Sequence, residues 1–207
     1  MYNDIYAVIL AGGSGTRFGG NVKKQFLEFH GKALWKHLYD TVTELLPTEN
    51  IVVVGIDIPG GATRSGSVKN GLDWIQAKGN CKKVVIMEAA RALVTKKQIE
   101  EIITFDSPSC CFVTPVVDTV ILTDKTYLTR SECRHLVSPQ AFDFKLLYKA
   151  YTDCDLSEIR TDETRLINDK YGIKPDFIDG GDNLYKVTYP KDIAVIEEIW
   201  RIMKNEE

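Results

Sequence analysis

Residues 5–19 read IYAVILAGGSGTRFG. The first six are apolar without interruption, which predicts a strand buried on both faces, as in a parallel sheet. Four glycines follow between residues 12 and 19, and a single arginine, Arg17, stands among them. Glycines let backbone N–H groups converge on an anion, and a guanidinium adds a bidentate phosphate donor. The stretch therefore predicts a buried strand that runs into a loop suited to a phosphate chain.

This glycine loop does not match two familiar phosphate-binding patterns. A Walker loop needs Gly-Lys followed by Ser or Thr, and the chain contains no such run. The dinucleotide fingerprint needs GxGxxG, whereas Gly13, Gly15 and Gly19 give GxGxxxG. By itself the loop is compatible both with phosphate binding and with a tight turn.

Strand-like apolar runs alternate with helical periodicity along the rest of the chain. We expect strands at 5–10, 51–56, 83–88, 110–117 and 174–179, a short β-excursion at 120–135, and helices at 32–46, 65–77, 95–105, 142–153, 161–172 and 189–205. Ser65 and Thr95 are the expected N-caps of two helices, and Gly172 is the expected end of another. The alternation predicts one α/β, Rossmann-like domain over 1–207, with a mainly parallel sheet and helices on both faces. Ligands of such sheets bind beyond the carboxyl ends of the strands, where the glycine loop lies.

The composition of the chain narrows the class of protein. Its 207 residues carry a formal net charge of −3, which gives no reason to expect nucleic acid or an anionic membrane as a partner. There is no long apolar run for a membrane span and no secretory leader pattern at the start, so we expect a cytoplasmic protein. The five cysteines show no CxxC spacing and the three histidines no ligand spacing. We expect reduced thiols and no cysteine or histidine metal site.

Further motifs follow the glycine loop in order along nearly the whole chain. They are KKQFLEFHGK (23–32), GGATRSGSVKNGL (60–72), MEAARALV (87–94), PVVDT (115–119), RSECRHLVSPQAF (130–142), TDETRLI (161–167) and DNLYKVTYPKDIAV (182–195). Together with the loop they resemble the cytidylyltransferases that act on methylerythritol 4-phosphate or ribitol 5-phosphate. The resemblance implies a nucleotidyltransferase fold and a homodimer, in which a short β-arm at about 118–136 would clasp the second subunit.

The resemblance also implies a reaction and its ligands. An alditol phosphate would attack the α-phosphorus of CTP, pyrophosphate would leave, and Mg²⁺ would be the cofactor. Catalysis of this kind is mostly positioning and charge neutralisation, without a covalent intermediate.

The residues that match the family motifs divide into four groups. The catalytic group is Arg17, Lys24 and Lys186. The nucleotide-binding group is Leu10, Ala11, Gly12, Gly13, Ser14, Gly15, Gly61, Arg64 and Ser67, of which Gly61, Arg64 and Ser67 belong to the part that reads cytosine. The polyol-phosphate group is Arg91, Thr119, Arg130, Thr161 and Lys186, with Arg130 reaching across from the other subunit. Glu88 is the expected Mg²⁺ ligand, because a carboxylate at the end of a buried strand suits a hard cation.

Several positions depart from the family pattern. Glu88 replaces an aspartate, Met87 a histidine and Ala92 a proline, and Lys23 also stands where the family usually has proline. These departures keep a second interpretation open, in which the chain is a nucleotide-binding module that no longer catalyses. A sugar-1-phosphate nucleotidyltransferase is a third interpretation, because it shares the glycine loop. The choice between methylerythritol and ribitol phosphates also stays open.

Overall fold

In the computed structural model of the chain, residues 1–13, 24–157 and 162–206 are described. The strands in these residues are β1 (Ile5–Leu10), β2 (Glu28–Phe29), β3 (Lys32–Ala33), β4 (Ile51–Val54), β5 (Lys83–Glu88), β6 (Ser109–Pro115), β7 (Arg134–Asp143) and β8 (Asp176–Asp179). The helices are α1 (Leu34–Thr43), α2 (Arg64–Gln76), α3 (Lys96–Thr104), α4 (Phe144–Thr152), α5 (Glu163–Tyr171) and α6 (Asp192–Glu206). None of the helices in the described ranges is long and apolar enough to cross a membrane.

Six strands form the central sheet, in the order β4-β1-β5-β7-β6-β8. β1 lies between β4 and β5 and is parallel to both, and β8 is parallel to β6. β7 is inserted between β5 and β6 and is antiparallel to both. The predicted α/β class with a mainly parallel sheet is confirmed. β7 was not predicted as a strand.

The two faces of the sheet are covered by different helices. Alternate residues of β1 divide between them: Ile5, Ala7 and Ile9 face one core with α1 and α3, while Tyr6 and Val8 face another with α2, α4 and α5. This division follows from the period of two along a strand. The prediction of helices on both faces is confirmed. A third, smaller cluster joins the β2–β3 hairpin to α6.

Helix caps differ from prediction at one place and agree at two. Thr63, not Ser65, caps α2: its hydroxyl accepts a hydrogen bond of 3.0 Å from the backbone N–H of Gly66. Ser65 instead lies inside the first turn, where its buried hydroxyl has no hydrogen-bond partner among the residues that the structure describes. Thr95 caps α3 in a capping box, and α5 ends at Gly172 in the left-handed conformation, both as predicted. The helix predicted from residue 32 begins at Leu34, because residues 32 and 33 pair with the strand before them.

The β-excursion predicted at 120–135 is only partly correct. Among the described residues it is reduced to one isolated antiparallel bridge between Ile121 and Tyr127, and β7 starts at Arg134. Nearly all residues of the segment are exposed, so burial in this chain does not impose a regular strand on it.

Candidate active site

A cavity of about 410 Å³ opens beyond the carboxyl ends of β1 and β5. These two strands end side by side, because Leu10 pairs with Glu88 in the parallel ladder. The residues that follow each strand, together with the loop before α2, form the walls. Nine residues predicted from the motifs line the cavity: Leu10, Ala11, Gly12, Gly13, Gly61, Arg64, Ser67, Glu88 and Lys186. The structure thus brings residues 10–13, 61–67, 88 and 186 to one place.

Two glycines allow close backbone contacts around the cavity. A Cβ added to Gly55 would lie 2.5 Å from Cα of Gly12 in the glycine loop, and one added to Gly61 would lie 2.4 Å from the carbonyl carbon of Gly66 in the first turn of α2. Gly55 also has a φ of 100°, which side chains rarely adopt. A larger residue at Gly55 would push the chain after β4 away from the glycine loop, and one at Gly61 would push the loop before α2 away from that helix.

The Ser67 hydroxyl holds the turn that carries Gly61. It accepts a hydrogen bond of 3.0 Å from the Gly61 N–H and donates one of 3.1 Å to the Thr63 carbonyl. Sequence analysis placed Ser67 in the part that reads the base, and the structure adds that its hydroxyl also fixes the wall of the cavity.

Gln25 closes the base of the glycine loop. Its carboxamide Nε2 donates to the carbonyl oxygens of Ala11, at 2.5 Å, and Gly13, at 3.3 Å. The side chain is 3% exposed and lines the cavity. Because both carbonyls are bound on this side, the loop is held at its first and its last described positions. The motif that contains Gln25 was recognised, but no role was predicted for it.

Glu88 lies at the end of β5 among three cations. Its carboxylate accepts hydrogen bonds from Nζ of Lys186, at 2.6 Å, and from Nε of Arg91, at 3.3 Å. Nε of Arg64 lies 4.0 Å from the same carboxylate. Burial raises the pKa of this carboxyl, but Lys186 and Arg91 outweigh burial and hold the pKa below its usual value. Glu88 is therefore ionised at neutral pH, as a ligand for a hard cation must be.

The donor set around Glu88 fits Mg²⁺ only if a substrate completes it. No cluster of three or more carboxylate, histidine or cysteine groups occurs in the ranges that the structure describes. Mg²⁺ commonly takes one or two protein carboxylates and fills its other positions with phosphate oxygens and water. One carboxylate beside the cavity would meet that requirement when a phosphate occupies the cavity, provided that Lys186 and Arg91 yield their places on it.

A second pocket of about 220 Å³ adjoins the first. Arg64, Glu88 and Lys186 line both and so form their shared wall. Arg91, predicted to hold the polyol phosphate, lines the second pocket, and its guanidinium also donates to the Leu184 carbonyl. The remaining lining is Leu136, Ser138, Gln140 and Asp162.

Other predicted residues are not brought into either cavity by this chain. Thr119 and Arg130 lie in the exposed arm, where the Arg130 guanidinium donates 2.9 Å to the Val117 carbonyl. Neither residue lines the two pockets. The predicted residues Ser14, Gly15, Arg17 and Thr161 lie outside the described residues, as does the side chain of Lys24.

The guanidinium of Arg64 is bound by a buried carboxylate. Its Nη1 and Nη2 donate to the two oxygens of Glu163, at 2.5 and 3.0 Å. Burial opposes the charge on Arg64, but Glu163 outweighs it and raises the pKa of the guanidinium. Neither Glu163 nor Ser138 was predicted as a site residue. The Ser138 hydroxyl accepts a hydrogen bond of 3.1 Å from the Glu88 N–H. Both residues lie inside family motifs, at 161–167 and 130–142, and this position is what could have indicated a role in the site.

Comparison with known proteins identifies the family. The family model described as IspD, 2-C-methyl-D-erythritol 4-phosphate cytidylyltransferase, matches residues 42–202. The chain belongs to the IspD family. Like other IspD proteins it is a nucleotidyltransferase enzyme of the cytidylyltransferase class. The matched residues include all three residues of the shared wall, Arg64, Glu88 and Lys186, whereas the glycine loop precedes the match.

Individual IspD relatives match more than nine-tenths of the chain. The chain is 32% identical to the 2-C-methyl-D-erythritol 4-phosphate cytidylyltransferase of Caldicellulosiruptor bescii, over 93% of the chain and 96% of that protein. It is 30% identical to the enzyme of the same name from Aliivibrio fischeri, over 98% and 96%. It also resembles the bifunctional IspD/IspF enzyme of Campylobacter jejuni, at 31% identity, but spans only 54% of that longer protein.

Solved structures of IspD proteins have the same fold. The bifunctional IspDF structure from Campylobacter jejuni superposes with a TM-score of 0.79, at 28% identity, over 93% of this chain and 54% of that one. The 4-diphosphocytidyl-2C-methyl-D-erythritol synthase of Anaerococcus prevotii superposes with a TM-score of 0.76, at 22% identity, over 96% and 99%. The second likeness supports the fold alone.

Proposed function

We propose that the protein transfers CMP from CTP to 2-C-methyl-D-erythritol 4-phosphate and releases pyrophosphate. One observation carries the proposal: the motif residues from four separate segments line one cavity at the carboxyl ends of β1 and β5. The names of relatives with at least 30% identity support cytidylyl transfer and favour methylerythritol phosphate over ribitol phosphate.

The two adjoining cavities suit a direct displacement between two bound substrates. In this mechanism CTP occupies the larger cavity, and the polyol phosphate occupies the pocket lined by Arg91. An oxygen of the polyol phosphate attacks the α-phosphorus of CTP, a new P–O bond forms, and the bond to pyrophosphate breaks with its electron pair on the leaving group. Holding both reactants in line supplies much of the rate, because it removes the entropy cost of their encounter.

The cations of the site would offset the charge that builds on the phosphates. Lys186 is placed to contact both substrates, because it lines both cavities. We assign Arg17 and Lys24 to the triphosphate from their place in the glycine-loop motifs. When bound, Mg²⁺ would neutralise phosphate charge, and Glu88 is the residue that would hold it.

We also propose that the active form is a homodimer. The arm exposes large apolar side chains, with Val117 75% and Tyr127 73% exposed, as expected of a surface that a second subunit covers. Arg130 lies in the same arm and outside both cavities of its own chain. A role for Arg130 in the site of the other subunit accounts for that position.

Pyrophosphate release tests the proposed function. The purified protein is incubated with CTP and Mg²⁺ and with 2-C-methyl-D-erythritol 4-phosphate, ribitol 5-phosphate or a sugar 1-phosphate. We expect release with the first acceptor and little with the sugar 1-phosphate. Preference for ribitol 5-phosphate would correct the acceptor, and no release with any acceptor would support the non-catalytic alternative.

A further inference from the structure

Glu163 is a fully buried carboxylate that the proposed reaction does not use. It is the first residue of α5, directly after Asp162, which lines the smaller pocket. Its side chain is 0% exposed. Besides the two hydrogen bonds from Arg64, it accepts one of 2.9 Å from the hydroxyl of Tyr151. A buried charge with this many partners needs a reason, because ionised groups are costly to remove from water.

The consequence of the pair lies at Arg64. Both terminal nitrogens of Arg64 bind Glu163, whereas its buried Nε has no hydrogen-bond partner among the described residues. This Nε lies 4.0 Å from the nearer oxygen of Glu88. Glu163 thus keeps Arg64 in the shared wall, turned away from a closer bond with Glu88.

We propose that Glu163 is a positioning residue that holds the Arg64 guanidinium in the wall shared by the two cavities, so that Arg64 does not compete with Lys186 and Arg91 for Glu88. The inference rests on the proposed function, since it gives Arg64 and Glu88 a task in the same reaction. The ion pair also links the start of α5, beside the smaller pocket, to the start of α2, beside the larger cavity.

Loss of the charge on Glu163 should redirect Arg64. In Glu163→Gln the amide keeps an acceptor oxygen but turns a second group, now an N–H donor, towards a guanidinium that can only donate. The next carboxylate within reach of Arg64 is Glu88, which already binds Lys186 and Arg91. We expect Arg64 to pair with Glu88 and to displace the wall. A displacement on the order of 1 Å at a reacting centre costs about 10²-fold in rate.

The values of kcat and KM for folded variants separate a positioning role from a purely structural one. We expect Glu163→Gln to lower kcat about 10- to 100-fold for folded protein, with the KM for CTP changed far less than kcat. Tyr151→Phe is the matched control: it removes a hydrogen bond from the same carboxylate without changing any charge, and it should leave kcat close to that of the wild type. A wild-type kcat in Glu163→Gln, or an equal loss in Tyr151→Phe, would overturn the proposal.

A double-mutant cycle tests whether Glu163 acts through Arg64. If it does, Glu163→Gln should add little to the loss already caused by Arg64→Met, because the group that it positions is gone. Losses that multiply would overturn the proposal. If Glu163→Gln does not fold, Arg64→Lys is the variant to test, because it keeps the charge but loses the bidentate pair with Glu163. A wild-type kcat in Arg64→Lys would then overturn the proposal.

A readout without substrates distinguishes this proposal from the proposed function. The ¹⁵N resonance of the Arg64 Nε–H, assigned by its loss in Arg64→Lys, should shift in Glu163→Gln and stay unchanged in Tyr151→Phe. An unmoved resonance in Glu163→Gln would overturn the positioning role even if the enzyme is active. A wild-type protein that releases no pyrophosphate would overturn the proposed function, while this resonance would still decide the role of Glu163.

Discussion

Replacement of Gln25 with methionine is expected to weaken CTP binding, because it removes the donor that holds the start of the glycine loop. Gln25 lies under the loop and donates to the carbonyls of Ala11 and Gly13. Ala11 is buried, so loss of its donor costs about 1–3 kcal/mol, whereas Gly13 is exposed and water can replace its donor. Converted to affinity, this is about a 5- to 150-fold change.

That free energy is divided between two measurable quantities. The part that destabilises the loop in the free protein lowers the melting temperature, by about 2–4 °C for each kcal/mol in a chain of this size. The part that remains raises the KM for CTP in the pyrophosphate-release assay. The KM for the polyol phosphate should change little, because Gln25 lines only the larger cavity.

Gln25→Glu is the sharper variant, because it keeps the shape and removes the donor. An ionised carboxylate would face two carbonyl oxygens, so the pKa of the introduced carboxyl should rise above its ordinary value of about 4.3. The protonated form can again donate to Ala11. The KM for CTP should therefore fall towards that of the wild type as the pH drops from about 8 to about 5, relative to the change in wild type over the same range. A wild-type KM for CTP and a wild-type melting temperature in Gln25→Glu at the higher pH would refute the role given to this side chain.

Three further outcomes follow from the proposed reaction. Arg17→Ala and Lys24→Ala should each lower turnover about 10²- to 10³-fold in the pyrophosphate assay, because each removes a donor to charge that develops on the phosphates; near-normal turnover in either variant contradicts that residue's role. Glu88→Gln should lower the rate and weaken its dependence on Mg²⁺ together, and a Mg²⁺ titration like that of the wild type would show that Glu88 is not a ligand. Mixing inactive Arg130→Ala with inactive Lys24→Ala should restore some activity, since a mixed dimer can assemble one intact site. If mixed dimers form and remain inactive, the shared site is wrong.

The strands at the centre of the sheet were predictable because their environment is simple. β1 and β5 have the predicted bounds, 5–10 and 83–88. Both lie inside the sheet with helices on its two faces, so nearly every side chain is buried and the apolar run is continuous. The motifs that follow them likewise indicated the place of the site, because parallel strands end at one edge of the sheet.

β7 could not be recognised from its own residues. Its sequence RHLVSPQAFD contains His135, Ser138, Pro139 and Gln140, and only its second half is buried. Such a run shows neither strict alternation nor a continuous apolar stretch. Its strand conformation depends on β5 and β6, which lie on either side of it and are distant in sequence.

The ion pairs of the site were also beyond local reasoning. Arg64 and Glu163 are 99 residues apart, and Glu88 and Lys186 are 98 apart. Each residue is ordinary in its own segment, and the motifs assigned Arg64 to the base and Lys186 to phosphate without a carboxylate partner. Only the fold shows which opposite charges meet, and that information changes what each cation is free to do.

The pairing of charges explains how a site proposed for two polyanions can exist without them. Arg64, Arg91 and Lys186 converge on one partly buried wall, where they would repel one another in the absence of carboxylates. Glu88 and Glu163 offset two of the three charges, which leaves an excess of one cation among these five groups. Glu163 is fully buried and lines neither cavity, whereas Glu88 borders both. In the proposed reaction, phosphates can therefore replace Glu88 on Lys186 and Arg91, and the carboxylate so released becomes available to Mg²⁺. On this account the same side chain is a counter-ion in the free protein and a metal ligand in the complex, and the three cations need no rearrangement beyond an exchange of partners.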